Sequence, residues 1–298
     1  MGLCDDVRAY TAEVVASARH VHIDQAALAA YDPGASPEPS LDPLEHFLEG
    51  RPAEVSQYLL TLDTINFGSG WAPTLNKRRD SATGRAVSAA RTTAWNLADH
   101  VRAEGPWDAA ALRSMRTETI AAVLGQRPDH ELMALYAQAL RDLGRFLGDR
   151  SAADVVTEAN GSAERFAQML AAGMALFDDD GFFKRAQIAA ADQALGGCAQ
   201  FTDLHRLTGF ADNLVPHVLR CDGVLIYDDG LAAAIDAGEL IAPGSDEREI
   251  RAAAVQACEQ LAARLGITPM AVDMALWNRG QAPEYKSRPR HRTRCVYY

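Results

Sequence analysis

FTDLHRLTGFADNLVPHVL, at residues 201–219, places apolar residues at helical spacing on both sides of a short corner. Leu204 and Leu207 precede this corner, which falls at residues 208–211 and contains a glycine. The spacing predicts two short amphipathic helices that meet at the corner. Asp212 then begins the second helix.

The carboxylate of Asp212 has two possible roles. As an N-cap it would accept hydrogen bonds from backbone N–H groups at the start of the second helix, which is the commoner fate of an aspartate in this position. Beside the ring of Phe210, it would instead stabilise the positive charge that grows on a sugar ring as a glycosidic bond breaks. Spacing alone favours the cap, and it favours a cap for Asp203 as well.

Helical periodicity recurs along the rest of the chain. It predicts further helices at residues 5–19, 84–103, 107–124 and 130–147. Two more helices have clear end signals. Ser245 opens a helix that continues through Leu265, and Thr268-Pro269 opens another that Gly280 ends.

Strand signals are few. LTLDTINFGSGW, at residues 60–71, has β-branched residues and glycines that favour a short strand or hairpin, and residues 31–43 form a turn-rich surface loop. No repeat of fixed period and no long linker divides the chain. The sequence therefore predicts one mainly α domain over residues 1–298, with at most a small β element.

Composition excludes several classes of protein. The 29 Lys+Arg and 40 Asp+Glu give a formal net charge of −11, whereas a protein that wraps a polynucleotide needs clustered cations. The sequence has neither a secretory signal nor an apolar run of membrane-spanning length, and five cysteines without C-x-x-C fit reduced thiols, so we expect a cytoplasmic protein. One stretch near the C-terminus is basic, in contrast to the acidic composition of the whole chain. It contains Lys286, Arg288, Arg290, His291, Arg292 and Arg294.

No metal or redox cofactor is expected. The sequence HVH at residues 20–22 lacks a third ligand at metal-site spacing. The sequence DDDG at residues 178–181 lacks the alternating acidic positions of a calcium loop and instead indicates a turn. Acyl-transfer chemistry has little support either, because the chain has no G-x-S-x-G motif.

Six longer blocks follow one another along nearly the whole chain. They are DTINF (63–67), FFKRAQ (182–187), FTDLHRLTGFADNLVP (201–216), EIRAAAVQACE (249–259), VDMALWN (272–278) and HRTRCVYY (291–298). In these blocks the chain resembles the queuosine salvage protein family. The resemblance implies a helical fold similar to that of helix-hairpin-helix DNA glycosylases, acting on a free modified nucleotide rather than on a duplex.

The resemblance also implies roles for single residues. Asp212 would be the catalytic carboxylate, Phe210 would stack on the base, and Asp273 would contact the base. His46 matches a base-binding histidine of the family. At Asn278 the family often has Asp, and an asparagine can still supply a hydrogen-bond donor or acceptor there.

The substrate so implied adds further expectations. Its 5'-phosphate needs cations, for which Lys184 is the first candidate, followed by Arg185 and the C-terminal arginines. We expect the block HRTRCVYY to fold back against the domain so that these arginines can contribute. Asp273 and Trp277 lie one helical turn apart on the same face, and would line one wall of the pocket.

The implied reaction is hydrolysis of the N-glycosidic bond of queuosine 5'-phosphate, which releases queuine and ribose 5-phosphate. Asp212 would be the nucleophile or the stabiliser of an oxocarbenium-like ribose. The protein would act as a monomer on this small nucleotide, without a polynucleotide or a membrane as partner. Two alternatives remain, a non-catalytic helical protein that binds a modified nucleoside and a DNA glycosylase. A measurement of turnover tests the non-catalytic alternative. Binding to duplex DNA with a steep salt dependence would favour the DNA glycosylase.

Overall fold

The structure of the protein, a computed structural model, describes residues 2–34, 39–80 and 84–298, so residues 35–38 of the predicted loop at 31–43 lie outside the described residues. The α-helices of the described residues are α1 Leu3–Ser17, α2 Gln25–Ala30, α3 Pro52–Thr64, α4 Ala89–Glu104, α5 Ala109–Arg113, α6 Thr117–Val123, α7 Glu131–Leu147, α8 Ala152–Glu158, α9 Ala163–Gly173, α10 Lys184–Leu195, α11 Val215–Cys221, α12 Asp229–Asp236, α13 Ser245–Leu265, α14 Pro269–Arg279 and α15 Pro283–Lys286. The strands β1 (Val21–Ile23) and β2 (Leu225–Tyr227) pair antiparallel. The predicted mainly α class with a small β element is confirmed.

The strongest predicted end signals are those of α13 and α14. The side chain of Thr268 accepts a hydrogen bond from the backbone N–H of Ala271, and α14 ends at Gly280, as predicted. α13 has the predicted bounds, but its N-cap is Gly244, and Ser245 is its first helical residue. The capping residues in the sequence therefore predict the ends of both helices to within one residue.

The predicted helix at residues 107–124 is divided into α5 and α6. Between them, the carbonyl oxygen of Met115 accepts a hydrogen bond from Nη1 of Arg141 in α7, at 2.8 Å. α5 also packs so closely on α7 that a Cβ added at Gly144 would lie 2.4 Å from the backbone nitrogen of Arg113. Contacts with α7 thus stabilise the break between α5 and α6, where the sequence predicts one continuous helix.

The strand or hairpin predicted at residues 60–71 is wrong. α3 continues through Thr64, and a 3₁₀ helix at Ser69–Thr74 follows. The hydroxyl groups of Thr61 and Thr64 each donate to a carbonyl oxygen one turn back, at 2.7 Å, so these β-branched residues are satisfied inside a helix. Every residue of α3 from Val55 onward is buried, and this burial outweighs local β propensity.

Residues 201–219 are less helical than predicted. The first predicted helix is a single 3₁₀ turn, Leu204–Arg206, and the second begins only at Val215. Asp203 does not cap the first turn. Its carboxylate instead accepts a hydrogen bond from the backbone N–H of Ala163, at 2.6 Å, and so caps α9 from a distant part of the chain.

A connected apolar core runs through the described residues. α13 packs on α1, α11 and α14, and α3 packs on α7, α8 and α10. Ile250 and Leu261 of α13 and Leu59 of α3 are completely buried. These two long, buried helices hold α10 and α14, and the ends of α3, α10 and α14 meet on one side of the molecule.

The C-terminal segment, residues 287–298, folds back against the rest of the chain as predicted. The carbonyl oxygen of Tyr298 accepts a hydrogen bond from the Gly68 N–H at 2.9 Å, and that of Arg292 accepts one from the Ile241 N–H at 2.9 Å. The side chains of Thr293 and Tyr298 are 0% and 2% exposed. The segment is therefore anchored in the fold by these residues, although others in it, such as Arg294, are exposed.

Gly70 is expected to be essential for this packing. An added Cβ would lie 2.4 Å from the carbonyl oxygen of Thr293, a backbone atom that cannot turn aside. We therefore expect Gly70→Ala to displace the C-terminal segment and to lower the free energy of unfolding by about 1–3 kcal/mol, measured as a shift in the urea midpoint. Gly230→Ala is the control, because its Cβ would make only an ordinary contact at 3.5 Å. Equal stability of the two variants would contradict the expectation.

Candidate active site

A cavity of about 270 Å³ opens where the C-terminal end of α3, the first turn of α10 and the last turn of α14 meet. The C-terminal segment forms a further wall. The charged residues that line the cavity are Lys77, Lys184, Asp212, Lys286, Arg290 and Arg292, and the aromatic ones are Phe67, Tyr136, Trp277 and Tyr298. A carboxylate therefore faces several cations in a pocket near the lower end of the size range of small-molecule sites.

Asp212 precedes α11, whose N-cap is Leu214, and its side chain faces the cavity. Its Oδ1 accepts hydrogen bonds from the backbone N–H groups of Leu214, at 2.6 Å, and Val215, at 3.2 Å. Among the residues that the structure describes, no group donates a hydrogen bond to the second oxygen, Oδ2. These two bonds hold the carboxyl group in one orientation and leave Oδ2 for a ligand, so binding the N–H groups at the start of the helix is compatible with a role toward a ligand.

Asp273 lies behind the cavity wall and is 6% exposed. Its Oδ1 accepts a hydrogen bond from the backbone N–H of Phe210 at 2.8 Å, which ties α14 to the residue two before Asp212. Burial raises the pKa of the Asp273 carboxyl to about 7, and the charge of Asp212 adds to this rise. Trp277 lines the cavity, whereas Asp273 and Phe210 do not.

Lys184 lines the cavity and is only 6% exposed. Burial lowers the pKa of its ammonium group, and the negative charges of Asp212 and Asp273 oppose this decrease. Its backbone N–H donates to Oδ2 of Asp179 at 3.3 Å, which holds the first turn of α10 in place. The structure thus places this predicted cation beside the predicted catalytic carboxylate.

Arg185 is not available to a phosphate, contrary to our expectation. It is 1% exposed, and its Nη1 donates to the carbonyl oxygens of Thr64, at 2.7 Å, and Asp63, at 3.3 Å. Its guanidinium also lies between the rings of Phe67 and Phe177, at 4.8 and 4.5 Å from their centroids. Arg185 holds the end of α3 against α10, because its donors satisfy carbonyl groups that the end of a helix leaves free.

Three further cations of the cavity form no ion pair with another residue that the structure describes. Within the described part of the chain, the side chains of Lys77, Lys286 and Arg290 form neither a hydrogen bond nor an ion pair. Burial lowers the pKa of both lysines, and the charge of Arg290 lowers the pKa of each further. Burial also lowers the pKa of Arg290, and the charge of Asp212 opposes this decrease. Cations held close enough to repel one another favour the binding of an anion.

His46 and Asn278 do not line the cavity. His46 lies half-buried in the loop before α3, where its Nδ1 is 3.0 Å from the carbonyl oxygen of Asp42, and burial lowers the pKa of its imidazole. The neighbouring Glu45 accepts a hydrogen bond from Nε of Arg91 in α4, at 2.7 Å, and so holds this loop beside the start of α4. The roles of His46 and Asn278 toward the base remain predictions.

Arg251, in α13, connects several parts of the site and was not anticipated as a functional residue. Its guanidinium donates to both oxygens of Asp179, at 2.9 and 2.5 Å, and to the carbonyl oxygen of Ala211 at 3.1 Å. It is 1% exposed and lies between the rings of Phe182 and Tyr298, at 4.0 and 4.8 Å. It thereby holds the residue before Asp212. The signal was present in EIRAAAVQACE, where one arginine stands among apolar residues.

Two kinds of feature are absent from residues 2–34, 39–80 and 84–298. No group of three or more His, Cys, Asp or Glu side chains lies close enough together to hold a metal ion. No helix is long and apolar enough to cross a lipid bilayer.

Comparison with known proteins gives a consistent result. The model of the queuosine salvage protein family matches residues 46–298. A queuosine 5'-phosphate N-glycosylase/hydrolase from Sphaerobacter thermophilus is 30% identical over 314 residues, which cover 97% of this chain and 96% of that protein. Proteins of the same name from Mus musculus and Nematostella vectensis are 30% and 31% identical over 199 residues, which cover 56% and 54% of this chain and 58% and 57% of theirs.

A helical fold with a carboxylate in a cationic cavity, together with relatives that are named N-glycosylases, defines a hydrolase that acts on N-glycosyl compounds. The match extends over most of the chain for the family and over nearly all of it for the bacterial relative. The chain belongs to the queuosine salvage protein family.

Proposed function

We propose that the protein hydrolyses the N-glycosidic bond of queuosine 5'-phosphate and releases queuine and ribose 5-phosphate. The observation that supports this most directly is the cavity that holds the Asp212 carboxylate together with unpaired cations. A carboxylate stabilises the positive charge that develops on the ribose, and cations bind the phosphate on the same sugar. The names of the relatives supply the identity of the base.

In the proposed mechanism, Oδ2 of Asp212 stabilises the oxocarbenium-like ribose or attacks it. Position 7 of queuine is a carbon, so the leaving base cannot be protonated at the nitrogen that ordinary purines offer there. Hydrogen-bond donors that contact other edges of the base must therefore stabilise it as it departs. Asp273 does not line the cavity, so the contact with the base that the family resemblance implies for this residue remains a prediction. A pKa of about 7 would allow its carboxyl group to act there as a hydrogen-bond donor or, beside the ammonium group of queuine, as a carboxylate.

The 5'-phosphate is proposed to bind to Lys286, Arg290 and Lys77. These side chains form no ion pair or hydrogen bond with the described residues, whereas Lys184 is buried near the carboxylates of Asp212 and Asp273. Lys184, the first candidate from the sequence, is therefore proposed to contact the substrate nearer the ribose. Charge-assisted hydrogen bonds to a phosphate are among the stronger interactions available here.

The direct test is turnover by the purified wild-type protein. We expect queuosine 5'-phosphate to disappear while queuine and ribose 5-phosphate appear in equal amounts, with queuine followed by mass spectrometry. Tight binding without any product would support the alternative of a non-catalytic binding protein. Release of a base from duplex DNA, with a steep salt dependence of binding, would support a DNA glycosylase instead.

Arg290→Gln is expected to weaken the binding of the nucleotide queuosine 5'-phosphate but not that of the nucleoside queuosine. Loss of the guanidinium should raise KM for queuosine 5'-phosphate by about tenfold or more, because one charge-assisted hydrogen bond contributes about 1.5–3 kcal/mol, and should leave queuosine itself little affected. Arg294→Gln is the matched control, since Arg294 belongs to the same segment but is exposed, pairs with Glu131 and does not line the cavity. Equal effects of Arg290→Gln on both substrates would contradict a phosphate contact.

Three broader predictions accompany this function. A single domain over residues 1–298 and a monomeric state are expected from the sequence. A cytoplasmic location also remains a prediction. A small free nucleotide as substrate fits the net charge of −11, because an extended polynucleotide needs a continuous basic surface.

A further inference from the structure

The segment at residues 208–211, which leads into Asp212, is in neither a helix nor a strand, although all four of its residues are buried. Within the described chain, its backbone groups form no hydrogen bond with other backbone groups. Buried N–H and C=O groups nevertheless need partners. Buried side chains of three helices supply them: Gln187 accepts from the Thr208 N–H at 2.9 Å, Asp273 from the Phe210 N–H at 2.8 Å, and Arg251 donates to the Ala211 carbonyl oxygen at 3.1 Å.

Gln187, in α10, joins this segment to the turn that precedes α10. Its side chain is 0% exposed, and its Nε2 donates to the carbonyl oxygen of Phe182 at 3.0 Å. The hydroxyl oxygen of Thr208 lies 3.0 Å from the same Nε2 and 3.1 Å from Oε1. A single planar amide therefore connects the turn before Lys184 to the segment before Asp212.

The turn before α10 is strained at Phe183. This residue has a φ of 49° and a ψ of 36°, in the left-handed region that residues other than glycine rarely adopt. Such a conformation persists only where the surrounding contacts hold it. The N–H of Phe183 donates to the carbonyl oxygen of Asp179 at 3.0 Å, and Gln187 holds the carbonyl group of the same peptide bond. Because Lys184 follows directly, its place in the cavity wall depends on this turn.

We propose that Gln187 is a positioning residue whose side-chain amide fixes Asp212 and Lys184 relative to each other. Gln187 does not line the cavity, so it acts on the substrate only through these two residues. The inference rests on the proposed function, in which Asp212 stabilises or attacks the ribose. It deepens that function by naming a residue on which the placement of the carboxylate depends, since a small misplacement of a reacting group lowers the rate strongly.

Gln187→Met keeps the length of the side chain and removes its hydrogen bonds. We expect kcat for the release of queuine to fall by about 10- to 100-fold, whereas KM for queuosine 5'-phosphate should change little because the cations proposed to bind the phosphate are not bonded to Gln187. Gln193→Met is the matched control. Gln193 lies in the same helix and is 0% exposed, but its Nε2 donates to the carbonyl oxygen of Ser56 in α3, at 3.0 Å. Both variants lose a buried amide and should be less stable, but only Gln187→Met should lower kcat. Equal kcat values of the two folded variants would overturn the proposal.

A double-mutant cycle with Asp212→Asn separates positioning from a general disturbance of the fold. In protein that already carries Asp212→Asn, Gln187→Met should lower the residual kcat by a much smaller factor than in the wild type, because the carboxylate that Gln187 positions is gone. A merely structural role would lower kcat by the same factor in both backgrounds. Equal factors would therefore contradict the proposal.

Amide hydrogen exchange, followed by NMR, tests the grip on the segment without turnover. The N–H of Thr208 lies outside any helix or strand, yet in the wild type it should exchange as slowly as buried helical amides, because Gln187 accepts its hydrogen bond. Gln187→Met should accelerate this exchange, and Gln193→Met should not. If the wild type released no queuine, the proposed function would fail while slow exchange at Thr208 still supported the grip by Gln187. Fast exchange at Thr208 in the wild type would overturn the inference, even if Gln187→Met did not fold.

Discussion

Replacing Asp212 by asparagine is expected to lower kcat for the release of queuine by about 10³-fold or more. Asparagine is as good an N-cap as aspartate, so its Oδ1 can still accept the hydrogen bonds from Leu214 and Val215. The fold and the shape of the cavity should therefore remain. What is lost is the negative charge on the oxygen that is proposed to face the ribose, and KM should change much less than kcat because the charge matters most in the transition state.

The matched control for this variant is Asp203→Asn. Asp203 belongs to the same sequence block, but its carboxylate caps α9 through Ala163 and it does not line the cavity. It should alter stability slightly and leave kcat near that of the wild type. Queuine would be followed by mass spectrometry for all three proteins. Undiminished release by Asp212→Asn would show that Asp212 has no catalytic role.

The same substitution should also change the titration of Asp273. The charge of Asp212 contributes to the raised pKa of Asp273, so its removal should lower that pKa from about 7. If Asp273 controls a limb of the pH profile, the limb should move to lower pH in Asp212→Asn. The direction of this change distinguishes loss of charge from a general disturbance of the pocket.

Parts of the fold were predictable because their signals are local. The ends of α13 and α14 follow from caps and from Gly280, and the family resemblance together with the corner at residues 208–211 singled out Asp212, which does face the cavity. The error at residues 60–71 has a physical reason. β-branched residues favour strands only weakly, and the burial of α3 among other helices overrides that preference.

Other parts of the site depend on contacts between distant residues. Lys77 and Arg290 stand far apart in the sequence, and neither has a neighbouring motif that indicates a shared cavity. Arg185 reaches the carbonyl oxygens of Asp63 and Thr64 only because α3 packs on α10. A charged residue in a helix usually faces solvent, so nothing in the local pattern distinguishes Arg185 from a surface cation.

Arg251→Met is expected to cause the largest loss of stability, about 3–5 kcal/mol in the free energy of unfolding. The substitution keeps most of the side-chain volume but removes the charge that pairs with Asp179 and Glu247, which are 3% and 6% exposed. Two buried carboxylates would then lack their cation. The hydrogen bond to the carbonyl oxygen of Ala211 would also be lost, so the residue before Asp212 should become less well held. The urea midpoint measures the loss.

The pH dependence of this loss follows from the same charges. Burial already raises the pKa of Glu247, and Arg251 opposes that rise, so Arg251→Met should raise this pKa further. A carboxyl group with a raised pKa in the folded state favours folding at low pH, and this contribution is lost as the pH rises through that pKa. The difference in stability between wild type and variant should therefore shrink as the pH falls.

Arg248→Met separates the effect of burial from that of charge alone. Arg248 lies in the same helix and pairs with Asp180, but the two side chains are 43% and 75% exposed, and an exposed pair contributes only about 0–1 kcal/mol. The double variant Arg251→Met/Asp179→Asn should recover part of the loss, because it removes one of the stranded carboxylates. If Arg251→Met were no less stable than Arg248→Met, the buried ion pair would not be what holds Ala211, and with it Asp212, against α13.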